Sequence, residues 1–246
     1  MTLNPRQTLS LQHLLLSGRP LIVGTVHDSL GLAFVRKSLS SSGGGKTFSE
    51  KKLPLDLLEA RLDSIPLRML PDSWPLPVIV TARHPEEGGK KNLSEDRRVH
   101  LLREALPWAS ALDIELRSAK PMSPVIAEAH QHGRTLILSH HDFRSTPELK
   151  ELKKLALRAA DQGADFFKVA TQLTDPSDLL RLIEFQMTDT KVPVVTMGMG
   201  AAGRFSRVVL SGFGAPLCYG WLGKPQIPGQ WPALHLAELL AEVLPQ

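Results

Sequence analysis

Short apolar runs alternate with longer amphipathic segments along the whole chain. This alternation is typical of repeated strand and helix units that build a parallel sheet. The predicted strands are residues 20–26, 56–62, 78–81, 111–116, 135–139, 165–169, 194–197 and 216–219. Eight such strands in 246 residues predict an α/β fold, a (β/α)8 barrel that forms one catalytic domain over residues 1–246.

The clearest helices are predicted between these strands, at residues 94–106, 124–132, 146–162, 176–187 and 233–243. In the third, Thr146 is the expected N-cap, Pro147 falls in the first turn and Gly163 ends the helix. Residues 38–46 are rich in serine and glycine and predict a mobile loop. The chain before this loop is too short to build its own core, so the loop is not expected to separate two domains.

Composition narrows the classes of partner. Hydrophobic residues make up 42% of the chain and charged residues 22%, which is ordinary for a globular protein. A net charge of +4 is too small for a nucleic-acid-binding signature but suits an anionic small molecule. Cys218 is the only cysteine, which excludes an internal disulfide and a cysteine-based metal site. No apolar segment approaches the roughly 20 residues that span a bilayer, and we expect a cytoplasmic protein.

Reactive side chains lie at the predicted carboxyl ends of several strands, where barrel enzymes place their active sites. They are Glu59, Arg61, Arg83, Glu87, His140, His141 and Lys168. Since these ends meet at one mouth, the sequence predicts a composite site.

Lys168 is flanked by apolar residues near the end of a predicted buried strand. Poor solvation favours a neutral amine, the form that condenses with a ketone or aldehyde to give an iminium. The alternative is a lysine that reaches water or pairs with a carboxylate. His141 follows an apolar strand and has the titration range of a general acid or base. The alternative for His141 is a loop histidine that caps a turn with Asp142.

Two carboxylates are candidates for holding that histidine. Glu87 precedes two glycines that allow a ligand to approach closely, although such a loop is often only a turn. Asp113 and Glu115 share one face of the fourth strand, and Asp113 is a candidate for positioning His141 if that face is interior. A metal site at His140 and His141 is disfavoured because adjacent strand side chains point to opposite faces.

Two further loops carry candidate ligand contacts. The glycine-rich run from Gly198 to Gly203 follows the seventh strand and opens a helix, an arrangement that binds anions, while nearby Arg207 is a candidate carboxylate clamp. Tight barrel turns also need glycine. The segment from Gln226 to Gln230 follows the eighth strand and either closes over a ligand or is a plain connection.

These residues together resemble the type I 3-dehydroquinate dehydratase family from the first strand to the last helix. The matching motifs occur in the family's order. They are Glu-x-Arg (Glu59, Arg61), Thr-x-Arg with Glu-Gly-Gly (Arg83, Glu87), Ser-x-His-Asp-Phe (His141), Lys-x-Ala (Lys168), Ser-Arg (Arg207) and Pro-Gly-Gln (Gln230).

The resemblance implies a metal-free, cofactor-free barrel enzyme of the shikimate pathway. It implies a homodimer that converts 3-dehydroquinate, a carboxylate, to 3-dehydroshikimate and water. Lys168 then forms the iminium, His141 transfers protons and Glu87 holds His141. Arg207 binds the substrate carboxylate. Hydroxyl contacts come from Glu59, Arg61, Arg83 and Gln230.

The chain departs from the family pattern at three places. Gln226 replaces the usual serine of the closing loop, which puts substrate fit in question. The usual serine of strand one is absent, so the contact falls to either Gly24 or Thr25. The Ser/Gly-rich insert follows strand one. Two alternatives stay open: a Schiff-base aldolase or transaldolase acting on a sugar phosphate, and a non-catalytic paralogue that binds a shikimate-pathway metabolite.

Overall fold

The computed structural model of the protein describes residues 18–40 and 53–244. Its strands are β1 (Leu21–Val26), β2 (Leu57–Arg61), β3 (Val78–Thr81), β4 (Ala111–Glu115), β5 (Thr135–Asp142), β6 (Phe166–Gln172), β7 (Val194–Met199) and β8 (Leu217–Leu222). Its α-helices are α1 (Ser29–Ser40), α2 (Glu95–Ala105), α3 (Ser123–Gln131), α4 (Leu149–Asp161), α5 (Pro176–Gln186), α6 (Gly203–Gly212) and α7 (Ala233–Val243).

The eight strands form one parallel sheet in the order β7-β6-β5-β4-β3-β2-β1-β8. The first and last strands of this order, β7 and β8, are bridged by the side chain of Arg207. Its guanidinium donates to Met197 Sδ on β7 at 3.5 Å and to the Tyr219 carbonyl on β8 at 3.0 Å. The sheet is therefore a nearly closed barrel with helices between its strands, and the predicted fold class is confirmed. Whether all 246 residues form one domain stays a prediction.

Strand alternation separates two apolar layers. One set of strand side chains packs inside the barrel, including Leu21, Leu57, Ile79, Ile137 and Leu217. The other set faces outward and packs against the helices. This division follows from the two-residue period of a strand, and it fixes which polar residues face the interior.

Three local predictions were wrong. Helix α4 begins at Leu149, with Glu148 as its N-cap. Thr146 does not cap the helix, because its hydroxyl bonds Thr171 Oγ1 at 2.8 Å and the Gln172 carbonyl. Residues 38–40, predicted as part of a loop, are the last residues of α1, a helix that the sequence pattern did not show clearly. The remainder of that loop, residues 41–46, lies outside the described residues.

Strands β5, β6, β7 and β8 extend beyond their predicted ends. His141 pairs with Ala170 in the ladder between β5 and β6, and Gln172 pairs with Met199. Backbone pairing continues past the apolar run because a ladder bonds main-chain groups, whatever side chains they carry. His140, His141 and Lys168 therefore lie on strands, where their side-chain directions are fixed. Within the part of the chain described here, no helix is both long and apolar enough to cross a bilayer.

Candidate active site

Inward-facing polar side chains from neighbouring strands lie at one level of the barrel. Glu115 of β4 pairs in register with Ser139 of β5, which pairs with Lys168 of β6. Asp113 lies two residues before Glu115 on β4, and His141 lies two residues after Ser139 on β5. Both side chains therefore also face inward. The alternation that buries Ile137 inside the barrel thus brings these polar groups together.

Lys168 is buried among acidic groups and one aromatic ring. Its side chain is 3% exposed, and its Nζ contacts Asp113 Oδ2 and lies 3.5 Å from Glu59 Oε1. The ring of Tyr219 lies beneath the amine, with 4.5 Å from Nζ to the ring centroid. The carboxylate-paired alternative is thus what the structure shows, and it still leaves the amine at the centre of the site.

Arg83 joins most of the charged groups of the interior. Its guanidinium bonds Asp113 at 3.0 and 3.2 Å and Glu115 Oε1 at 3.0 Å. It also donates to Ser139 Oγ at 2.7 Å. Burial acts to raise the pKa of Asp113, but Arg83 and Lys168 outweigh burial and hold that pKa far below its usual range. Asp113 is therefore an anion that balances two buried cations.

Glu87 and His141 form a pair beside this cluster. Glu87 Oε2 lies 3.0 Å from His141 Nδ1 and accepts the His141 backbone N–H at 2.9 Å. Burial and the nearby Glu115 carboxylate raise the pKa of Glu87 to about 7. Burial, Arg83 and Lys168 lower the pKa of His141 well below its ordinary value. His141 is thus a neutral imidazole whose orientation Glu87 fixes.

The structure places Asp113, the predicted support of His141, against other groups of the site. Asp113 instead contacts Lys168 and Arg83 and accepts from Ser139 Oγ at 2.6 Å. His141 reaches farther toward the mouth, where the loop after β3 supplies Glu87. His140 lies on the opposite strand face and lines a surface cavity of about 460 Å³.

Arg207 is a buried cation without a carboxylate partner among the described residues. Its NH1 donates to the Tyr219 carbonyl, and its Nε donates to the Gly229 carbonyl at 3.3 Å. Burial lowers its pKa, so the charge is poorly compensated. Such a group attracts an anionic ligand.

The mouth of the barrel contains further contacts that bear on the predicted ligand residues. Arg61 bonds Asp63 through two nitrogens, at 2.8 and 2.9 Å, and also reaches the Gly88 carbonyl. Thr25 donates to Glu59 Oε2 at 3.0 Å, whereas a Cβ at Gly24 would meet Leu222 and Leu55 of the outer layer. Thr25 is therefore the inward residue of that pair.

The loop after β8 folds back on itself and over the glycine-rich turn. Gln230 Oε1 accepts the backbone N–H groups of Gln226 at 2.8 Å and of Ile227 at 3.5 Å. A Cβ at Gly203 would lie 3.0 Å from the Gly198 carbonyl and 3.1 Å from Gly229 Cα. The glycines thus allow this loop to pack closely against the turn.

Several residues of the site escaped the sequence argument. They are Asp63, Tyr219 and Ser139, all on or beside strands, and Arg98, whose guanidinium donates to Glu115 Oε2 from α2. The two-residue period that relates Asp63 to Arg61, and Ser139 to His141, is the signal that points to the first and third of them. Arg98 has no comparable signal, because helix α2 is mostly polar.

The chain is similar in sequence to known proteins. The family model described as type I 3-dehydroquinase matches residues 47–243. The 3-dehydroquinate dehydratase of Methanothermobacter thermautotrophicus is 33% identical over 197 residues, covering 78% of this chain and 86% of that protein. The Klebsiella pneumoniae enzyme of the same name is 33% identical, covering 67% and 68% of the two chains.

Solved structures show the same likeness. The type I 3-dehydroquinate dehydratase of Clostridium difficile, determined with covalently modified comenic acid, superimposes with a TM-score of 0.73. It is 26% identical, and the match covers 92% of each chain. The Enterococcus faecalis 3-dehydroquinate dehydratase gives a TM-score of 0.73 at 26% identity, over 93% of this chain and 95% of that one.

Proposed function

Since this chain belongs to the type I 3-dehydroquinase family, a family of hydro-lyases, we propose that it converts 3-dehydroquinate to 3-dehydroshikimate and water through an imine on Lys168. The observation that carries the proposal is the position of Lys168. A buried primary amine lies at the centre of the barrel, with His141 on the neighbouring strand.

The first step is condensation of Lys168 with the substrate ketone. Attack requires the neutral amine, so the proton of the Lys168 ammonium, which contacts Asp113, passes first to His141. The nitrogen then attacks the carbonyl carbon, the π pair moves to oxygen, and a nitrogen proton passes to that oxygen to give the carbinolamine. The carbinolamine hydroxyl takes the proton back from His141 and leaves as water, while the nitrogen lone pair forms the C=N bond of the iminium. The iminium makes the neighbouring C–H acidic because it accepts the electron pair that the carbon releases.

His141 performs the proton transfers of the following step. As a neutral imidazole it takes the proton from the carbon next to the iminium, and the Glu87 carboxylate stabilises the resulting imidazolium through Nδ1. The enamine electrons expel the β-hydroxyl group, which leaves as water with the proton from His141. Hydrolysis of the imine then releases the product and restores Lys168.

Substrate orientation falls chiefly to Arg207. Its uncompensated buried charge suits the substrate carboxylate, and its place between β7 and β8 directs that carboxylate across the mouth. Contacts from Glu59, Arg61, Arg83, Gln226 and Gln230 to substrate hydroxyls stay predictions. In the structure, Arg61, Arg83 and Gln230 bond other protein groups.

No specific observation favours the aldolase alternative. Its support was the glycine-rich turn, and the loop after β8 packs against that turn. The covalently modified ligand of the Clostridium difficile enzyme is compatible with covalent chemistry in this family. A role in the shikimate pathway and aromatic amino acid biosynthesis, a cytoplasmic location and a homodimer complete the proposal, on the family resemblance alone.

Borohydride trapping tests the imine. We expect borohydride added during turnover of 3-dehydroquinate to inactivate the enzyme and to attach one substrate-derived mass to the peptide that contains Lys168. The variant Lys168→Met should neither turn over nor gain that mass, whereas Lys191→Met, which changes an exposed lysine paired with Asp161, should do both.

The other outcomes of this experiment decide against the proposal. Turnover without the adduct excludes the imine route, and absence of turnover in the wild-type protein favours the binding paralogue. Protection of Lys168 by a sugar phosphate but not by 3-dehydroquinate favours the aldolase.

A further inference from the structure

Tyr219 is an unusual residue in the interior of the barrel. It lies on β8, pairs in register with Val23 of β1, and packs with the apolar residues inside the barrel. Its side chain is almost fully buried, at 5% exposure. Its ring faces the Lys168 amine, with the nitrogen 4.5 Å from the ring centroid.

The hydroxyl of Tyr219 has no hydrogen-bond partner among the described residues. A buried polar group without a partner destabilises a protein, and phenylalanine would fill the same space without that cost. Burial and the carboxylates of Glu59 and Asp113 raise the Tyr219 pKa well above its ordinary value. The group is therefore a protonated donor at neutral pH.

The position of the ring limits what this donor can reach. A ketone carbon bonded to Nζ must lie close to the Tyr219 ring, since the nitrogen itself does. The oxygen on that carbon, one bond farther from Nζ, can then turn toward the phenol hydroxyl at the edge of the same ring. This oxygen gains negative charge when the nitrogen attacks.

Building on the imine chemistry proposed above, we propose that Tyr219 is a further catalytic residue, whose hydroxyl donates a hydrogen bond to the substrate oxygen that becomes the carbinolamine oxygen. The C–N bond forms as the carbonyl π pair moves to this oxygen. The oxygen then takes up the proton that the attacking nitrogen releases. Tyr219 keeps its own proton throughout, and it acts by stabilising the developing charge.

The test is the variant Tyr219→Phe, which removes one oxygen atom and keeps the ring. Imine formation is measured in a single turnover by quenching with borohydride at increasing times and quantifying the adduct on Lys168. We expect the rate of imine formation to fall roughly 100- to 1,000-fold, the range for removal of one donor to a developing oxyanion. We also expect the midpoint of urea unfolding to stay the same or to rise, because an unpaired buried hydroxyl is lost.

Thr196→Val is the matched control. Thr196, on β7, has a buried hydroxyl that faces away from the barrel interior, between the inward residues Val195 and Met197, and donates to Gln186 Oε1 at 2.6 Å. Its removal should leave the rate of imine formation unchanged. A Tyr219→Phe rate within roughly twofold of the wild type, or an equal loss of rate in Thr196→Val, would overturn the proposal for Tyr219. Failure of the wild-type protein to form any adduct is a separate outcome that overturns the proposed function itself.

Discussion

At the scale of single residues, Glu87 links the chemistry of the site to the stability of the fold. Its carboxyl group is buried against His141, and its pKa is raised from 4.5 to about 7. Between pH 4.5 and about pH 7, the Glu87 carboxyl group is protonated in the folded protein and ionised in the unfolded chain. The contribution of Glu87 to stability is thus fully present below about pH 4.5 and is lost as the pH rises through about 7.

Glu87→Gln is expected to remove this dependence. Glutamine keeps an oxygen that accepts from His141 but carries no charge, so the variant should gain stability relative to the wild type between about pH 5 and pH 8. Urea unfolding followed by tryptophan fluorescence at several pH values measures the difference. The lowered pKa of His141 makes stability fall as the pH falls, which is the opposite dependence, but His141 is present in both proteins. A difference in unfolding free energy that is constant with pH would contradict the raised pKa.

At the scale of elements, the position of the loop after β8 depends on Gly203, the first residue of α6. Gln230 holds the loop together from within, and Gly203 lets Gly229 approach the turn after β7. The same loop places a carbonyl on Arg207. The packing of the loop against the turn and the position of the Arg207 guanidinium therefore both depend on the backbone of Gly229.

We expect Gly203→Ala to displace this loop. The added methyl would lie 3.0 Å from the Gly198 carbonyl and 3.1 Å from Gly229 Cα, which is too close without movement of the backbone. Overpacking of this kind costs about 1–3 kcal/mol of stability. Hydrogen exchange of residues 223–231 should become faster, and KM for 3-dehydroquinate should rise.

Gly212→Ala, in the last position of the same helix, is the control for this change. Its methyl would lie 3.5 Å from Leu244, an ordinary contact, so exchange in the loop should not change. Equal exchange in wild type and Gly203→Ala would show that the loop does not rely on Gly203.

At the scale of the whole molecule, the barrel is held together by two apolar layers while its mouth contains an uncompensated cation. Ligands that bind the folded state alone raise its stability by mass action. We expect the product 3-dehydroshikimate to raise the Tm of the wild-type protein, and the variant Arg207→Met to lose most of this shift. The variant without ligand should be at least as stable as the wild type, because a desolvated charge is removed.

Differential scanning calorimetry with and without 3-dehydroshikimate measures both effects of this substitution. A normal ligand-induced shift in Arg207→Met would mean that another group binds the carboxylate. A large drop in the Tm of the unliganded variant would mean that Arg207 chiefly joins β7 to β8.

The sequence by itself determined the repeated strand and helix pattern, the barrel, and which reactive residues lie at the strand ends. These features are local, since apolar period and residue type can be read one segment at a time. Tertiary structure alone decided the partners: that Asp113 contacts Lys168 and not His141, that Thr146 bonds Thr171, and that the Tyr219 hydroxyl has no hydrogen-bond partner within the described ranges. Partners of this kind come from strands distant in the chain, and their distances depend on strand register and barrel closure.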